Sequence, residues 1–172
     1  QKEYIGKYNG HIDIELSEHG TKQALKLKKT MQDHNFDQIF CSDLLRTKKT
    51  LELLELGAPT TFSSMLREKS WGKHEGKSFQ ELIDSGLKYT NFSQWIESLD
   101  GENFSSYERK IKEYFFNIIL QTNSKNILVV THSGFIKTLY ASITQKPLEE
   151  AFSLPISYAS TLLFNPKTME FQ

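Results

Sequence analysis

A short apolar run that ends in a polar turn, residues 126–134, constrains the fold of this chain more than any other segment. The apolar run is Ile127–Val130, and the turn, 131–134, reads Thr-His-Ser-Gly. A segment with helical spacing of apolar residues follows. This order predicts a buried strand that delivers one histidine to the carboxyl end of an α/β sheet, where such folds bind their ligands.

The rest of the chain shows the pattern of alternating helices and strands. Apolar spacing and capping residues predict helices over 17–31, 43–56, 79–84, 92–99, 105–119 and 133–140, and strands over 38–41, 60–64, 127–130, 158–164 and 168–171. We expect Ser42 or Asp43 to cap the second helix, and Ser105 with Glu108 to form a capping box at the fifth. Because strands alternate with helices, the sequence predicts a single α/β domain with a mostly parallel sheet.

Size and charge limit what the chain can bind. Its 172 residues suffice for one domain with a hydrophobic core. Lysine plus arginine and aspartate plus glutamate each number 21, so a net charge of zero gives no general attraction for nucleic acid or an anionic membrane. The sequence predicts neither a signal peptide nor a membrane span, which needs roughly 18 apolar residues. The single cysteine, Cys41, excludes an internal disulfide, and we expect a cytoplasmic protein.

His132 is the first candidate for chemistry. A lone histidine at a strand end is most often a residue of the core. Here, however, Ser133 and Gly134 open the next helix, so free backbone N–H groups at the strand end would favour a bound anion. A histidine beside such a site suits a phosphoryl group, either as a hydrogen-bond donor or as a cation. We therefore predict that His132 and Ser133 bind phosphate.

Arg46, Glu68 and Glu102 are further candidates. Arg46 lies in the first turns of a predicted helix after a strand, where it either clamps a phosphate with two hydrogen bonds or forms a surface salt bridge. Glu68, in a Leu-Arg-Glu loop segment, is a candidate general acid that would protonate a leaving alcohol beside such a phosphate. Glu102 is a weaker candidate for substrate binding, and its alternative role is that of a charge near a helix start.

Other kinds of site find no support in the sequence. Cys41 and Arg46 are too close together for the loop of a cysteine phosphatase, and Cys41 lies in an apolar strand. The other four histidines lack metal-ligand spacing, and no glycine-rich phosphate loop or dinucleotide motif occurs. The sequence therefore predicts no metal and no organic cofactor.

Four segments, taken in order, resemble the histidine phosphatase superfamily, also called the phosphoglycerate mutase-like family. They are 8–20, which contains Asn9 and Gly10; 41–50, which contains Arg46; 66–76, which begins Leu-Arg-Glu; and 131–134. Gly101 and Glu102, followed by Arg109, fit a fifth and weaker segment. The order and spacing make the resemblance specific over nearly the whole chain. It implies a three-layer sandwich, with a mostly parallel sheet flanked by helices.

The resemblance also implies a mechanism. In this family a histidine in an Arg-His-Gly motif attacks the phosphoryl group, and water hydrolyses the phosphohistidine; in mutases the phosphoryl group returns to substrate. By this likeness Arg46 and His132 hold the phosphoryl oxygens, and Glu68 protonates the leaving oxygen. Asn9 and Gly10 match the loop that closes one side of the phosphate pocket.

No Arg-His-Gly motif occurs in these 172 residues. By the family's spacing back from Gly10, the motif and its central strand would end just before Gln1. Because loss of a central strand would expose ladder groups and core side chains, we expect that further residues precede Gln1. A truncated chain and a rearranged fold are the alternatives. His11 and His19 are poor replacements for the missing histidine, since they lie in a loop and at a helix start.

The sequence thus predicts a phosphomonoesterase that acts on a small phosphorylated metabolite through a phosphohistidine. Segment 8–16 resembles the α-ribazole phosphatase branch. A phosphoglycerate mutase is the first alternative, although the cofactor-dependent mutases are longer. A non-catalytic relative, which binds phospho-ligands or a partner protein through Arg46 and His132, is the second, and an inactive fragment is the third. The oligomeric state is left open, with a homodimer as one option.

Overall fold

The computed structural model describes residues 4–172 as two small sheets surrounded by helices. The helices are α1 (Glu18–Met31), α2 (Leu45–Leu54), α3 (Phe79–Asp84), α4 (Phe92–Ser98), α5 (Phe104–Tyr114), α6 (Ser133–Thr144) and α7 (Leu148–Ser153). The strands are β1 (Gln38–Ser42), β2 (Thr60–Ser63), β3 (Ile127–Val130), β4 (Phe164–Asn165) and β5 (Glu170–Phe171). Single 3₁₀ turns occur at Ser64–Leu66 and Gly72–His74, and α5 continues as a π-helical turn at Phe115–Ile119.

The main sheet consists of three parallel strands in the order β2–β1–β3. Its register places Ile39 beside Leu128, and Phe40 beside Val129. Because successive side chains of a strand point to opposite faces, the apolar run of β1 supplies both faces of the sheet. A parallel pair requires a crossover connection. Here α2 connects β1 to β2, and the segment with α3, α4 and α5 connects β2 to β3.

Helices cover both faces of this sheet. On one face, Ile39 and Cys41 pack with Leu51 of α2, and α1 packs against α2. On the other face, Phe40 joins a larger core that includes Ile111 of α5 and Phe135 of α6. The α/β class and the sandwich of a parallel sheet between helical layers are therefore confirmed. Within residues 4–172, no helix has the length and apolar character needed to cross a membrane.

Helix α2 is capped by a distant residue. Its N-cap residue is Leu44, whose side chain cannot cap, so the predicted caps Ser42 and Asp43 are wrong. The backbone N–H of Leu45 instead donates to Oδ1 of Asp13, at 2.6 Å. A carboxylate at this end also complements the helix dipole. The contact ties the loop before α1 to the start of α2.

Helix α5 also begins differently from the prediction. Asn103 is its N-cap, and the Asn103 side chain accepts from the backbone N–H of Ser106 at 3.1 Å. The predicted capping box of Ser105 and Glu108 does not form, because the N-cap lies two residues before Ser105, at Asn103. Glu108 instead accepts a hydrogen bond from the Ser142 hydroxyl of α6, at 2.8 Å.

Two strand predictions need correction. All four residues of β3 are only half-buried, whereas we expected a buried strand, because β3 pairs with β1 alone among the described residues. The strands predicted over 158–164 and 168–171 shrink to the short antiparallel pair β4 and β5. Leu163, just before β4, is 64% exposed, and Tyr158 is 84% exposed. Leu163 still exchanges two backbone hydrogen bonds with Gln172, whereas residues 158–162 form no backbone ladder with any described residue.

Candidate active site

Each strand of the main sheet delivers one candidate residue to the same edge. Arg46 lies in the first turn of α2, which follows β1, and His132 follows β3 directly. Glu68 follows the 3₁₀ turn after β2. Because the strands are parallel, their carboxyl ends lie together, and the three side chains converge there. The sequence prediction that these three residues form one site agrees with this arrangement.

The guanidinium group of Arg46 lies at the centre of the site. Its Nε donates to Nδ1 of His132 at 3.3 Å, and Nη1 donates to the carbonyl of Ile12 at 2.9 Å. Nη2 donates to the carbonyls of Asn9 at 3.1 Å and Gly10 at 2.8 Å. The partners are thus three carbonyls and a ring nitrogen. The surface salt bridge, which was the alternative prediction for Arg46, does not form within residues 4–172. One of the five guanidinium N–H groups keeps no partner within the described residues.

Three carboxylates influence this cation without forming an ion pair with it. Burial lowers the pKa of Arg46, and the charges of Glu68, Glu75 and Asp13 act in the opposite direction. Since an arginine has an ordinary pKa above about 12, the guanidinium stays protonated at neutral pH. Glu75 uses its Oε1 to accept from the backbone N–H groups of His11 at 2.8 Å and Trp71 at 2.9 Å. The positive charge of Arg46 therefore remains available to an anion.

His132 is held as a neutral ring. It is only 8% exposed, and burial, followed by the charge of Arg46, lowers its pKa well below the usual value. Because Nδ1 accepts from Arg46, Nε2 carries the proton and donates to the hydroxyl of Ser42, at 2.9 Å. The structure therefore favours the hydrogen-bonding role predicted for His132 and disfavours the imidazolium form. Sequence reasoning missed Ser42, which it treated only as a helix cap.

We predict that His132 makes the fold sensitive to acid. Below about pH 6.5 the unfolded chain protonates this histidine while the folded chain does not. Each unit by which the pH is lowered therefore reduces the free energy of unfolding by up to about 1.4 kcal/mol. The effect is absent above that pH. In urea titrations between about pH 7 and pH 5, His132→Gln should lose stability less steeply than the wild type. His19→Gln, on the exposed side of α1, is the control, and equal slopes for all three proteins would contradict this prediction.

Glu68 occupies the N-terminus of α6. Its Oε2 accepts from the backbone N–H of Gly134 at 2.9 Å, and its Oε1 accepts from the N–H of Lys69 at 3.0 Å. The hydroxyl of Tyr107 lies 3.2 Å from the same Oε1. The helix N-terminus thus binds an anion, as expected, but that anion is a carboxylate of the protein. Ser133 is exposed, and its phosphate-binding role stays a prediction.

Gly134 is a glycine for reasons of space. A Cβ atom at this position would lie about 2.0 Å from Oε1 and 2.7 Å from Cδ of Glu68. The carboxylate is the mobile end of a side chain, so it can move away without disrupting the helix. A methyl group at residue 134 would therefore displace Glu68 and leave α6 intact.

We predict that Gly134→Ala lowers activity while leaving the protein folded. Alanine favours a helix by up to about 1 kcal/mol over glycine, which should offset the displaced hydrogen bond. We expect any catalytic turnover to fall at least roughly tenfold, with a melting temperature within a few degrees of the wild type. The matched control is Gly20→Ala near the start of α1, where a Cβ would meet its neighbours at 3.4 Å or more. Equal turnover in the two variants would contradict the prediction that activity depends on the position of the Glu68 carboxylate.

The loop around Asn9 and Gly10 closes one side of the site. The Asn9 side chain donates to the carbonyl of Tyr4 at 2.6 Å, and its buried Oδ1 has no partner within the described residues. A Cβ on Gly10 would lie 2.1 Å from the carbonyl oxygen of Lys69, so only glycine fits there. Both residues offer Arg46 their carbonyls, and direct phosphate binding by either remains a prediction.

His11 lies at the site, although no sequence pattern assigned it a role there. Its Nε2 lies 3.0 Å from the carbonyl oxygen of Glu68 and must donate to it, since a carbonyl only accepts. The ring is close enough for its charge to contribute to the low pKa of His132. No local pattern could have predicted the contact of His11 with Glu68, because the two residues lie 57 positions apart in the sequence.

Glu102 lies apart from the other candidates. Its Oε1 accepts from Lys110 at 2.6 Å, and its buried Oε2 has no partner within residues 4–172. None of its hydrogen bonds reaches Arg46, His132 or Glu68. A role for Glu102 in substrate binding therefore stays a prediction. Among the described residues, no group of three or more His, Cys, Asp or Glu side chains is arranged to hold a metal ion.

A protonated arginine, a hydrogen-bonding histidine and a carboxylate at one sheet edge are suited to binding an oxyanion and moving a proton beside it. Such a site is suited to a phosphoric monoester hydrolase. The sequence profile of the histidine phosphatase superfamily (branch 1) matches residues 1–172, and the chain belongs to that family. The predicted resemblance and enzyme class are therefore confirmed.

Several relatives are named phosphatases. The Adenosylcobalamin/alpha-ribazole phosphatase of Escherichia coli (strain K12) is 26% identical over 152 residues, which cover 84% of this chain and 74% of that protein. Phosphoserine phosphatase 1 of Hydrogenobacter thermophilus is 26% identical over 165 residues, which cover 91% and 77%. The crystal structure of the alpha-ribazole phosphatase from Shigella flexneri superposes with a TM-score of 0.78 at 25% identity, covering 94% of this chain and 84% of that one.

Proposed function

We propose that the complete protein hydrolyses a small phosphate monoester through a phosphohistidine intermediate. The observation that carries this proposal is the setting of Arg46. Its guanidinium group bridges His132 and the loop carbonyls at the edge where the parallel strands end, with Glu68 close by. A phosphoryl group entering this site would replace loop carbonyls as the partner of Arg46 and gain charge-assisted hydrogen bonds.

We propose that the nucleophilic histidine comes from a strand upstream of Gln1, which pairs with the side of β3 that has no neighbour within residues 4–172. An apolar edge strand without charges or proline invites pairing, and β3 reads Ile-Leu-Val-Val. Leu162 and Leu163, the exposed apolar residues before β4, have a strand-like sequence. The ladder that β4 forms with β5 ends at Leu163, so residues 158–162 have no paired strand within the described residues. A strand that covers β3 would bring its own carboxyl end, and the family's Arg-His-Gly motif, beside His132.

The proposed reaction has two steps. In the first, the upstream histidine nitrogen bonds to phosphorus, the bond from phosphorus to the ester oxygen breaks, and Glu68 gives its proton to the leaving oxygen. In the second, water oxygen bonds to phosphorus, the bond from phosphorus to the histidine nitrogen breaks, and Glu68 takes a proton from that water. Inorganic phosphate then leaves, and the histidine and the protonated Glu68 are restored. Arg46, His132 and the Ser133 hydroxyl stabilise the phosphoryl oxygens in both steps, with Asn9 and Gly10 forming the pocket wall.

The substrate class is supported by the relatives rather than by a pocket of defined shape. Because named phosphatases for α-ribazole phosphate and phosphoserine are among them, we propose a small phosphorylated metabolite and would test these two first. Substrate choice resides in variable loops, so fold alone does not decide it. A cytoplasmic location, the absence of nucleic acid partners and a homodimer stay predictions.

We predict that Arg46→Ala nearly abolishes phosphate binding in the full-length protein. Removal of the guanidinium group should lower kcat/KM by roughly 10²-fold or more, because it loses charge-assisted hydrogen bonds to the phosphoryl oxygens. Steady-state kinetics with p-nitrophenyl phosphate, and competition by inorganic phosphate, measure this loss. The control is Lys49→Ala on the same helix, whose ammonium pairs with Glu52 at the surface. Turnover near the wild-type level in Arg46→Ala would remove this residue from the site.

We predict that Glu68→Gln separates substrates by their leaving groups. An alkyl phosphate such as phosphoserine needs a proton on its leaving oxygen, whereas p-nitrophenolate leaves readily without one. The variant should therefore slow phosphoserine or α-ribazole phosphate by roughly 10²-fold and p-nitrophenyl phosphate by much less. Equal losses on both kinds of substrate would argue against an acid role for Glu68.

The same full-length protein distinguishes the alternative functions. A phosphoglycerate mutase would interconvert 3- and 2-phosphoglycerate after priming with 2,3-bisphosphoglycerate, and would release little inorganic phosphate. A non-catalytic relative would bind phosphate without turning over any ester. Release of inorganic phosphate without interconversion of the phosphoglycerates supports the proposed phosphatase over the mutase. A phosphohistidine trapped by rapid quenching excludes the non-catalytic relative.

A further inference from the structure

Tyr107 of α5 is the largest side chain that the fold buries completely. Its hydroxyl oxygen lies 3.2 Å from Oε1 of Glu68 and 3.3 Å from the carbonyl oxygen of Arg67. A phenol carries one hydrogen, so it donates to only one of these acceptors at a time. A single acceptor would be enough to satisfy this buried hydroxyl. The second acceptor, at almost the same distance, allows the hydroxyl to turn away from Glu68 without losing its hydrogen bond.

We propose that Tyr107 is a positioning residue for Glu68, whose hydroxyl turns between two acceptors as the carboxyl group gains and loses its proton. When Glu68 is ionised, the hydroxyl donates to its Oε1. When Glu68 carries the proton for the leaving oxygen, the hydroxyl turns to the carbonyl of Arg67. This inference rests on the proposed acid role of Glu68, and it explains how one carboxyl group keeps its place in both steps of the reaction.

The other two partners of the Glu68 carboxylate cannot adapt in this way. Both are backbone N–H groups, of Lys69 and Gly134, and their directions are fixed by the chain. Both point at the carboxyl oxygens in either protonation state, and neither can accept the hydrogen of the acid form. Of the hydrogen-bond partners that the structure gives this carboxylate, Tyr107 is the one with a hydrogen free to rotate.

The surroundings of Tyr107 keep its ring still and its hydroxyl protonated. The ammonium group of Lys110 lies 4.8 Å from the ring centre and is itself paired with Glu102 at 2.6 Å. Burial, the charge of Glu68 and the hydrogen bond to it raise the pKa of Tyr107 well above the usual value. The phenol therefore remains a donor throughout the working pH range, and only its hydrogen moves.

The test is Tyr107→Phe in the full-length enzyme. This change removes the hydroxyl and keeps the ring, so the core and the contact with Lys110 remain. We expect kcat for phosphoserine or α-ribazole phosphate to fall roughly tenfold with little change in KM, and kcat for p-nitrophenyl phosphate to change less than about twofold. The control is Tyr114→Phe on the same helix, since the Tyr114 ring packs edge-on against Phe40 and its hydroxyl has no hydrogen bond among the described residues.

A double-mutant cycle with Glu68→Gln separates positioning from a merely structural effect. If Tyr107 acts through Glu68, adding Tyr107→Phe to Glu68→Gln slows the alkyl ester no further. Additive losses, or equal losses on alkyl and aryl esters, would overturn the positioning role. Full activity of Tyr107→Phe where Glu68→Gln is slow would overturn this inference alone. No leaving-group preference in Glu68→Gln would overturn the acid role of Glu68, and this inference with it.

Discussion

The guanidinium group of Arg46 is the contact on which the rest of the site depends. It joins the start of α2 to carbonyls of Asn9, Gly10 and Ile12, which lie 34 to 37 residues earlier in the chain. The carbonyl of Ile12 also accepts from the backbone N–H of Ile14 at 3.1 Å. Without Arg46, the carbonyls of Asn9 and Gly10 would converge without a donor among the described residues, in a partly buried space, which is energetically unfavourable. Asp13 adds the reverse contact by capping α2. The loop and the helix therefore form one unit, and a ligand that binds Arg46 also acts on the loop.

The carboxylates around Arg46 are bonded elsewhere. Glu75 accepts from backbone N–H groups of the loop, and Glu68 accepts from the N-terminus of α6 and its own neighbour. A direct ion pair with either would neutralise the guanidinium and compete with a phosphoryl group. Instead, the negative charges lie near enough to oppose the effect of burial on the pKa of Arg46, and leave its hydrogens for oxygen acceptors. The nearby carboxylates thus stabilise a buried cation without forming an ion pair with it.

Local patterns predicted the elements, and long-range contacts decided the details. Helix α3 and strand β3 lie where the sequence placed them, because capping and apolar spacing are properties of neighbouring residues. Arg46, Glu68 and His132 were identified through residue type and order. Asp13 lies 32 residues from Leu45, whose N–H it caps, and Tyr107 lies 39 residues from Glu68. No local pattern encodes contacts between residues so far apart in the sequence. The strand predicted over 158–164 fails for a related reason, since a strand needs a neighbour to pair with.

The tetrapeptide after β3, residues 131–134, links the arginine and the carboxylate of the site. Its histidine turns back toward Ser42 and Arg46, while its glycine admits the carboxylate of Glu68 to the first turn of α6. Both positions follow from where β3 ends, because the strand and the helix share this turn. A strand paired along the side of β3 that has no neighbour within residues 4–172 would fix that end more firmly, and its own carboxyl end would lie at the same level. The distance between a nucleophile on such a strand and Glu68, the proposed acid, would then be set by the register of the sheet. A one-residue slip in that register would move the nucleophile to the other face.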